Sequence, residues 1–84
     1  MAVDIYSDEL SPRLKEAVDR QILSVFAGRP GRWKVNVVPD LMNQALDVIV
    51  WGPGTFYFER HFSKWDRAAQ VIGEAVRAAL SLAA

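Results

Sequence analysis

The chain has 84 residues, 51% of them hydrophobic and 24% charged, and its ten basic residues balance ten acidic ones. That length suits one domain with one core, and so short a chain buries only about 60–65% of the surface its unfolded form exposes. With no cysteine and one histidine, disulfides, thiolate-held metal and multi-histidine metal sites are excluded, which leaves self-association or a partner to support a thin stability margin.

Residues 1–10 read as either a short strand or a tethered arm, with Val3, Ile5 and Tyr6 as its apolar positions. The first helix is expected from Ser11, a suitable N-cap, with Pro12 at the first helical position where its missing N–H costs nothing. Ser7, followed by Asp8 and Glu9, offers an earlier start. Leu14, Val18, Ile22, Val25 and Phe26 recur at helical spacing, and Gly28 followed by Pro30-Gly31 ends the helix. Trp33, Val35 and Val37 alternate with Lys34 and Asn36, which predicts a strand over 32–38 closed by Pro39-Asp40. A second strand is expected over about 45–51 and a third over about 56–62, separated by Gly52-Pro53-Gly54. Ser63 then caps a second helix, with Trp65, Ala68, Ala69, Ile72, Ala75, Val76, Ala79 and Leu80 as its buried stripe. The expected fold class is α+β: helix–strand–strand–strand–helix, with a three-stranded antiparallel sheet packed against two helices, in a single domain spanning 1–84.

The register of the second hairpin decides which side chains share a face. A three-residue loop sets Asp47 against Glu59, a repulsive cross-strand pair. An even loop sets Asp47 against Arg60 and Trp51 against Phe56, and a four-residue loop from Gly52 to Thr55 is expected because L-Pro-Gly twists the wrong way for a two-residue turn. In that register both faces of the hairpin are largely apolar, one of them carrying Leu46, Val48, Val50, Tyr57, Glu59 and His61. Two helices cover one face better than two, so a docking surface is expected, with Val48, Val50, Trp51, Tyr57 and His61 as its residues. The expected partner is a second copy of the chain, forming a homodimer, or another protein.

Catalytic chemistry finds little support. Glu59 and His61 are candidates for an acid–base pair, but no cysteine nucleophile exists and Ser63 is better explained as a cap. No catalytic residue, metal or cofactor is therefore assigned, and the chain is expected not to be an enzyme. Gly28-Arg29-Pro30-Gly31-Arg32 lacks the spacing and the lysine of a phosphate-binding loop. Net charge of zero argues against nucleic acid and against an anionic membrane surface as partners. The longest apolar run is far short of the ~20 residues a membrane span needs, and Met-Ala-Val-Asp-Ile-Tyr has no basic or long apolar start, so the expected location is the cytoplasm.

The element order and length resemble those of the double-stranded RNA-binding domain, and Ser63-Lys64 followed by Arg67 is similar to that family's basic helix start. The resemblance implies a weak RNA-binding role as the alternative function. Arg29, Arg32 and Lys34 around the first strand, with Lys64 and Arg67 in the second helix, could make a modest positive region at one end, and Arg29, Arg32, Lys64 and Arg67 are the candidate contacts. Pro39-Asp40-Leu41-Met42-Asn43-Gln44 stands where the family has a Gly-Pro-X-His motif, and Trp65-Asp66 where it has a lysine-rich run. The first expectation is therefore a non-catalytic protein-interaction or self-associating accessory domain.

Overall fold

Val3 and Ile5 alternate with Asp4 and Tyr6, and this stretch forms a strand rather than an arm: β1 spans Ala2–Tyr6. The computed structural model describes residues 2–40, 42, 45–63 and 68–82. Within them β1 is followed by α1 (Pro12–Phe26), β2 (Arg32–Asp40), β3 (Ala45–Trp51), β4 (Tyr57–Phe62) and α2 (Ala68–Leu82). The sheet has four strands in the order β1-β2-β3-β4, with β1 parallel to β2 and the other neighbours antiparallel. The expected three-stranded antiparallel sheet is thus corrected to a mixed four-stranded one: the expected order of helix, three strands and helix is present from α1 to α2, and β1 adds a parallel strand that the double-stranded RNA-binding label does not account for. A parallel pair needs a crossover, and α1 supplies it.

Helix α1 begins at Pro12, after Ser11 in an extended conformation (φ −60°, ψ 151°). The Ser11 hydroxyl makes no capping bond, and the helix opens instead with Lys15 N–H donating to the Ser11 carbonyl at 2.8 Å. Gly28 ends it at φ +75°, the left-handed backbone that a C′ position favours. Ser7 serves not as a helix cap but as a buried post. Its hydroxyl donates to Asp19 Oδ1 at 2.6 Å and accepts from Lys15 Nζ at 3.1 Å, which ties the end of β1 to the second turn of α1. The hydrogen bond from Lys15 to the Asp19 carboxylate raises the Lys15 pKa above the ordinary lysine value.

Both helices lie on one side of the sheet. Val18, Ile22 and Phe26 of α1 and Ile72, Val76 and Leu80 of α2 meet Val35, Val37, Leu46, Val48 and Val50 in a single core. The helices also touch each other, and Gly73 permits the approach: a Cβ there would stand 2.8 Å from Gln21 Oε1. Trp33 anchors one end, its ring centroid 5.1 Å from that of Phe26 and 5.3 Å from that of Phe56. Its indole Nε1 donates to the Pro30 carbonyl at 2.9 Å. Trp65, expected in the core, lies outside the described residues, as do Lys64, Asp66 and Arg67.

Two expectations about the strands change. Pro39 does not end β2, which runs on so that Pro39 pairs with Leu46 and Asp40 with Ala45. The hairpin loop is odd rather than even. Trp51 pairs with Tyr57 and Asp47 with His61, leaving Gly52 to Phe56 as a five-residue connection. Gly52 N–H donates to the Phe56 carbonyl at 3.1 Å, and Gly54 takes φ +67° at the tip. The shift of one residue turns every β4 side chain over relative to β3. Phe58 and Phe62 join Val48 and Val50 beneath the helices, while Tyr57, Glu59 and His61 move to the other side.

Candidate interaction face

The side of the sheet away from the helices is uncovered among the described residues, and the strand pairings lay its side chains out in rows. The first row runs Asp4, Lys34, Trp51, Tyr57; the second Tyr6, Asn36, Ile49, Glu59; the third Val38, Asp47, His61. All four strands contribute, and one aromatic side chain comes from each of β1, β3 and β4. Tyr6 is 48% exposed, Trp51 36% and Tyr57 56%. For aromatic residues beside an apolar core, these are large solvent-facing areas.

The first row is organised around Lys34. Its Nζ stands 5.1 Å from the Tyr6 ring centroid and 5.2 Å from that of Trp51, within the range of attraction between an ammonium and an aromatic face. Trp51 and Tyr57 meet edge to face, their centroids 6.0 Å apart. Arg32, exposed and one pairing step before Lys34 on the same side of β2, adds a second cation. Arg29 sits half-buried in the connection before β2. That connection lies against the hairpin loop, since a Cβ on Gly31 would stand 2.5 Å from Pro53 Cγ. Arg29, Arg32 and Lys34 therefore gather at the end of the sheet that also carries Trp51 and Tyr57, with Asp4 as the acid in that row.

The rest of the face is occupied by internal pairs. His61 Nδ1 lies 2.6 Å from Asp47 Oδ1, and Tyr57 donates its hydroxyl to Glu59 Oε2 at 3.0 Å. That hydrogen bond to a carboxylate, with partial burial and the negative charge of Glu59 acting in the same direction, raises the Tyr57 pKa above the ordinary phenol value. Glu59 and His61, considered from the sequence as an acid–base pair, are thus engaged with different partners. Among the described residues, no group of three or more His, Asp or Glu side chains is placed to hold a metal ion.

The five residues expected to form a docking surface do not share a face. Val48 and Val50 have no exposure, whereas Trp51, Tyr57 and His61 stand on the open side. No second copy is needed to shelter the two valines, because the helices do so. Sequence reasoning named Tyr6 as an apolar position of the first ten residues and grouped Lys34 with Arg29 and Arg32 as basic residues, but assigned neither Tyr6 nor Lys34 to the docking surface. Of the four residues proposed for RNA, Arg29 and Arg32 fall at one end of the sheet, and Lys64 and Arg67 lie outside the described residues. Among the described residues no helix is long and apolar enough to cross a membrane.

No protein-family model matches the sequence, and no characterised protein matches it by sequence. The fold is similar to that of a ribosomal subunit interface protein from Coxiella burnetii, with a TM-score of 0.56 and 15% identity over 96% of this chain and 94% of that one. The N-terminal domain of Protein Y from Thermus thermophilus aligns with a TM-score of 0.47 and 17% identity, over 90% of this chain and 92% of that one. The expectation that weighed against nucleic acid as a partner is corrected by the first of these: a net charge of zero averages over the whole surface and hides a local cluster, and this chain shares its small α+β fold, with its mixed four-stranded sheet and two helices, with a ribosomal subunit interface protein.

Proposed function

We propose that this chain is a non-catalytic interaction domain that docks on the ribosome. The observation that carries the reading is the fold match along nearly the whole of both chains to a ribosomal subunit interface protein. One feature of the molecule supports it: among the described residues one side of the sheet is uncovered and carries aromatic and cationic side chains. Glu59 and His61 do not pair with each other, because their hydrogen bonds go to Tyr57 and Asp47.

The test is sedimentation of the purified chain with ribosomes from a bacterial host through a sucrose cushion at low salt. The chain is expected in the ribosomal pellet at close to one copy per particle, and to be released as salt rises. A chain that stays in the supernatant at low salt with ribosomes in excess overturns the proposal.

A further inference from the structure

We propose that the corner of the open sheet face formed by Tyr6, Arg32, Lys34, Trp51 and Tyr57 is a binding site for single-stranded RNA, in which unpaired bases stack on Trp51 and Tyr57 and phosphates meet Arg32 and Lys34. The choice of RNA rests on the ribosomal reading above; the site itself rests on the geometry of the face.

Single strands are held by aromatic side chains that accept base faces and by cations that follow the backbone. This corner has both, interleaved. Trp51 and Tyr57 meet edge to face rather than flat upon each other, so their contact takes up one ring face rather than two. Their exposure, with that of Tyr6, leaves aromatic surface open to solvent on three of the four strands. From β1 to β4 is three strand spacings, about 14 Å, which is room for a run of a few nucleotides. The Lys34 ammonium, held between the Tyr6 and Trp51 rings, presents its charge beside the stacking surfaces, where a backbone phosphate would pass.

The composition of the corner favours nucleic acid over a protein partner. Protein interfaces deplete lysine at their centres, which are more apolar than the rest of the surface. Here lysine stands inside the row beside Trp51, and of the hairpin's aliphatic side chains Leu46, Val48 and Val50 lie in the core while Ile49 faces the open side in the neighbouring row. A duplex does not fit the same chemistry, because its base faces are already stacked within the helix.

The test is fluorescence anisotropy of a labelled, unstructured RNA oligomer titrated with the full chain at low salt, beside a duplex of the same composition. Two phosphate contacts on a single strand predict a slope of about −1.4 in log K against log salt. Trp51→Ala and Tyr57→Ala are each expected to weaken binding about tenfold, Trp51→Phe to restore most of it, and Lys34→Ala to reduce the slope by about 0.7. Circular dichroism confirms that each variant folds, as expected for side chains directed away from the helices. The inference is overturned by a wild-type chain that fails to bind the oligomer at low salt. It is equally overturned by a duplex that binds as tightly, or by a Trp51→Ala/Tyr57→Ala chain that binds as well as wild type. Sedimentation of these variants separates the two claims. Wild type and double variant that both pellet with ribosomes refute the RNA corner and leave the ribosomal reading standing. Oligomer binding lost in the double variant, with no pelleting of wild type, does the reverse.

Discussion

His61 on β4 stands directly opposite Asp47 on β3, and its Nδ1 lies 2.6 Å from Asp47 Oδ1. The pair marks the register of the hairpin. A loop shorter by one residue would set Arg60 there, also a good hydrogen-bond partner for the Asp47 carboxylate, so the pair accompanies the register rather than choosing it. The choice is made on the opposite side, where Val48 and Val50 gain Phe58 and Phe62 as neighbours in one core. Burying one such side chain stabilises by about 1.5–3 kcal/mol, whereas an exposed cross-strand charge pair contributes about 0.2–1 kcal/mol.

That ranking is measurable. A double-mutant cycle with Asp47→Ala and His61→Ala is expected to give a coupling of about 0.5 kcal/mol by urea denaturation near neutral pH. Phe62→Ala is expected to cost about 3 kcal/mol in the same assay. A His–Asp coupling that matches or exceeds the loss from Phe62→Ala would mean the polar pair, and not the buried aromatics, fixes the strand alignment.

The Tyr57–Glu59 bond makes a prediction about titration. The phenol donates to the carboxylate, so the neutral form of Tyr57 is favoured and its pKa is raised. A group whose folded pKa lies above its unfolded one contributes stability that is complete below the unfolded value and is lost as pH rises through the folded value. In a Tyr6→Phe background, which leaves Tyr57 as the sole tyrosine, Glu59→Gln is expected to move the ultraviolet phenolate transition to lower pH. Superimposable transitions with and without Glu59 would show that the bond does not persist in solution.

Much of the fold was readable because its signals are local. The spacing of Val18, Ile22, Val25 and Phe26 marked α1, and the alternation of Trp33, Val35 and Val37 marked β2. The parallel partnership of β1 was not readable, since Ile5 and Val35 meet only after a helix has brought the chain back. The missed hairpin register has another cause. Charge complementarity was weighed at Asp47, but the burial of Phe58 and Phe62 outweighs it, and the five-residue turn that permits this depends on Gly54 at φ +67°. The aromatic corner inherits both difficulties. Tyr6 arrives through the parallel pairing and Tyr57 through the odd register, so neither adjoins Lys34 and Trp51 until the sheet is assembled.

Ser7 offers a test of how β1 is kept at the edge. It is fully buried and bonds at once to Asp19 and Lys15. Ser7→Ala removes the donor from a half-buried carboxylate, and hydrogen bonds to charged groups contribute about 1.5–3 kcal/mol. The expected loss is about 1.5 kcal/mol, or a fall in Tm of about 9 °C for a domain of this size. Because the bond ties β1 to α1, amide exchange should accelerate most in the β1–β2 pairing. Uniform acceleration through β3 and β4 would show that β1 unfolds only with the whole sheet.

The glycines of the hairpin loop separate crowding from backbone strain. Gly52 has no unusual φ, but a Cβ there would run into the Trp33 ring, 2.7 Å from its Cε3 atom. Gly54 has open space around it and a left-handed φ of +67°. Gly52→Ala must therefore displace a buried indole that packs on Phe26 and Phe56, at a cost of about 1–3 kcal/mol. Gly54→Ala forces a Cβ into a disfavoured backbone region, at about 1–2 kcal/mol. The two costs overlap in size but differ in character. Gly52→Ala is expected to alter the near-ultraviolet circular dichroism contributed by Trp33, and Gly54→Ala to leave it unchanged while lowering Tm. Asparagine, which tolerates the left-handed region, should recover most of the loss at 54 and none of it at 52. Recovery by Gly52→Asn would place the indole elsewhere than beneath the turn, and with it the packing that holds the hairpin tip against the connection carrying Arg29.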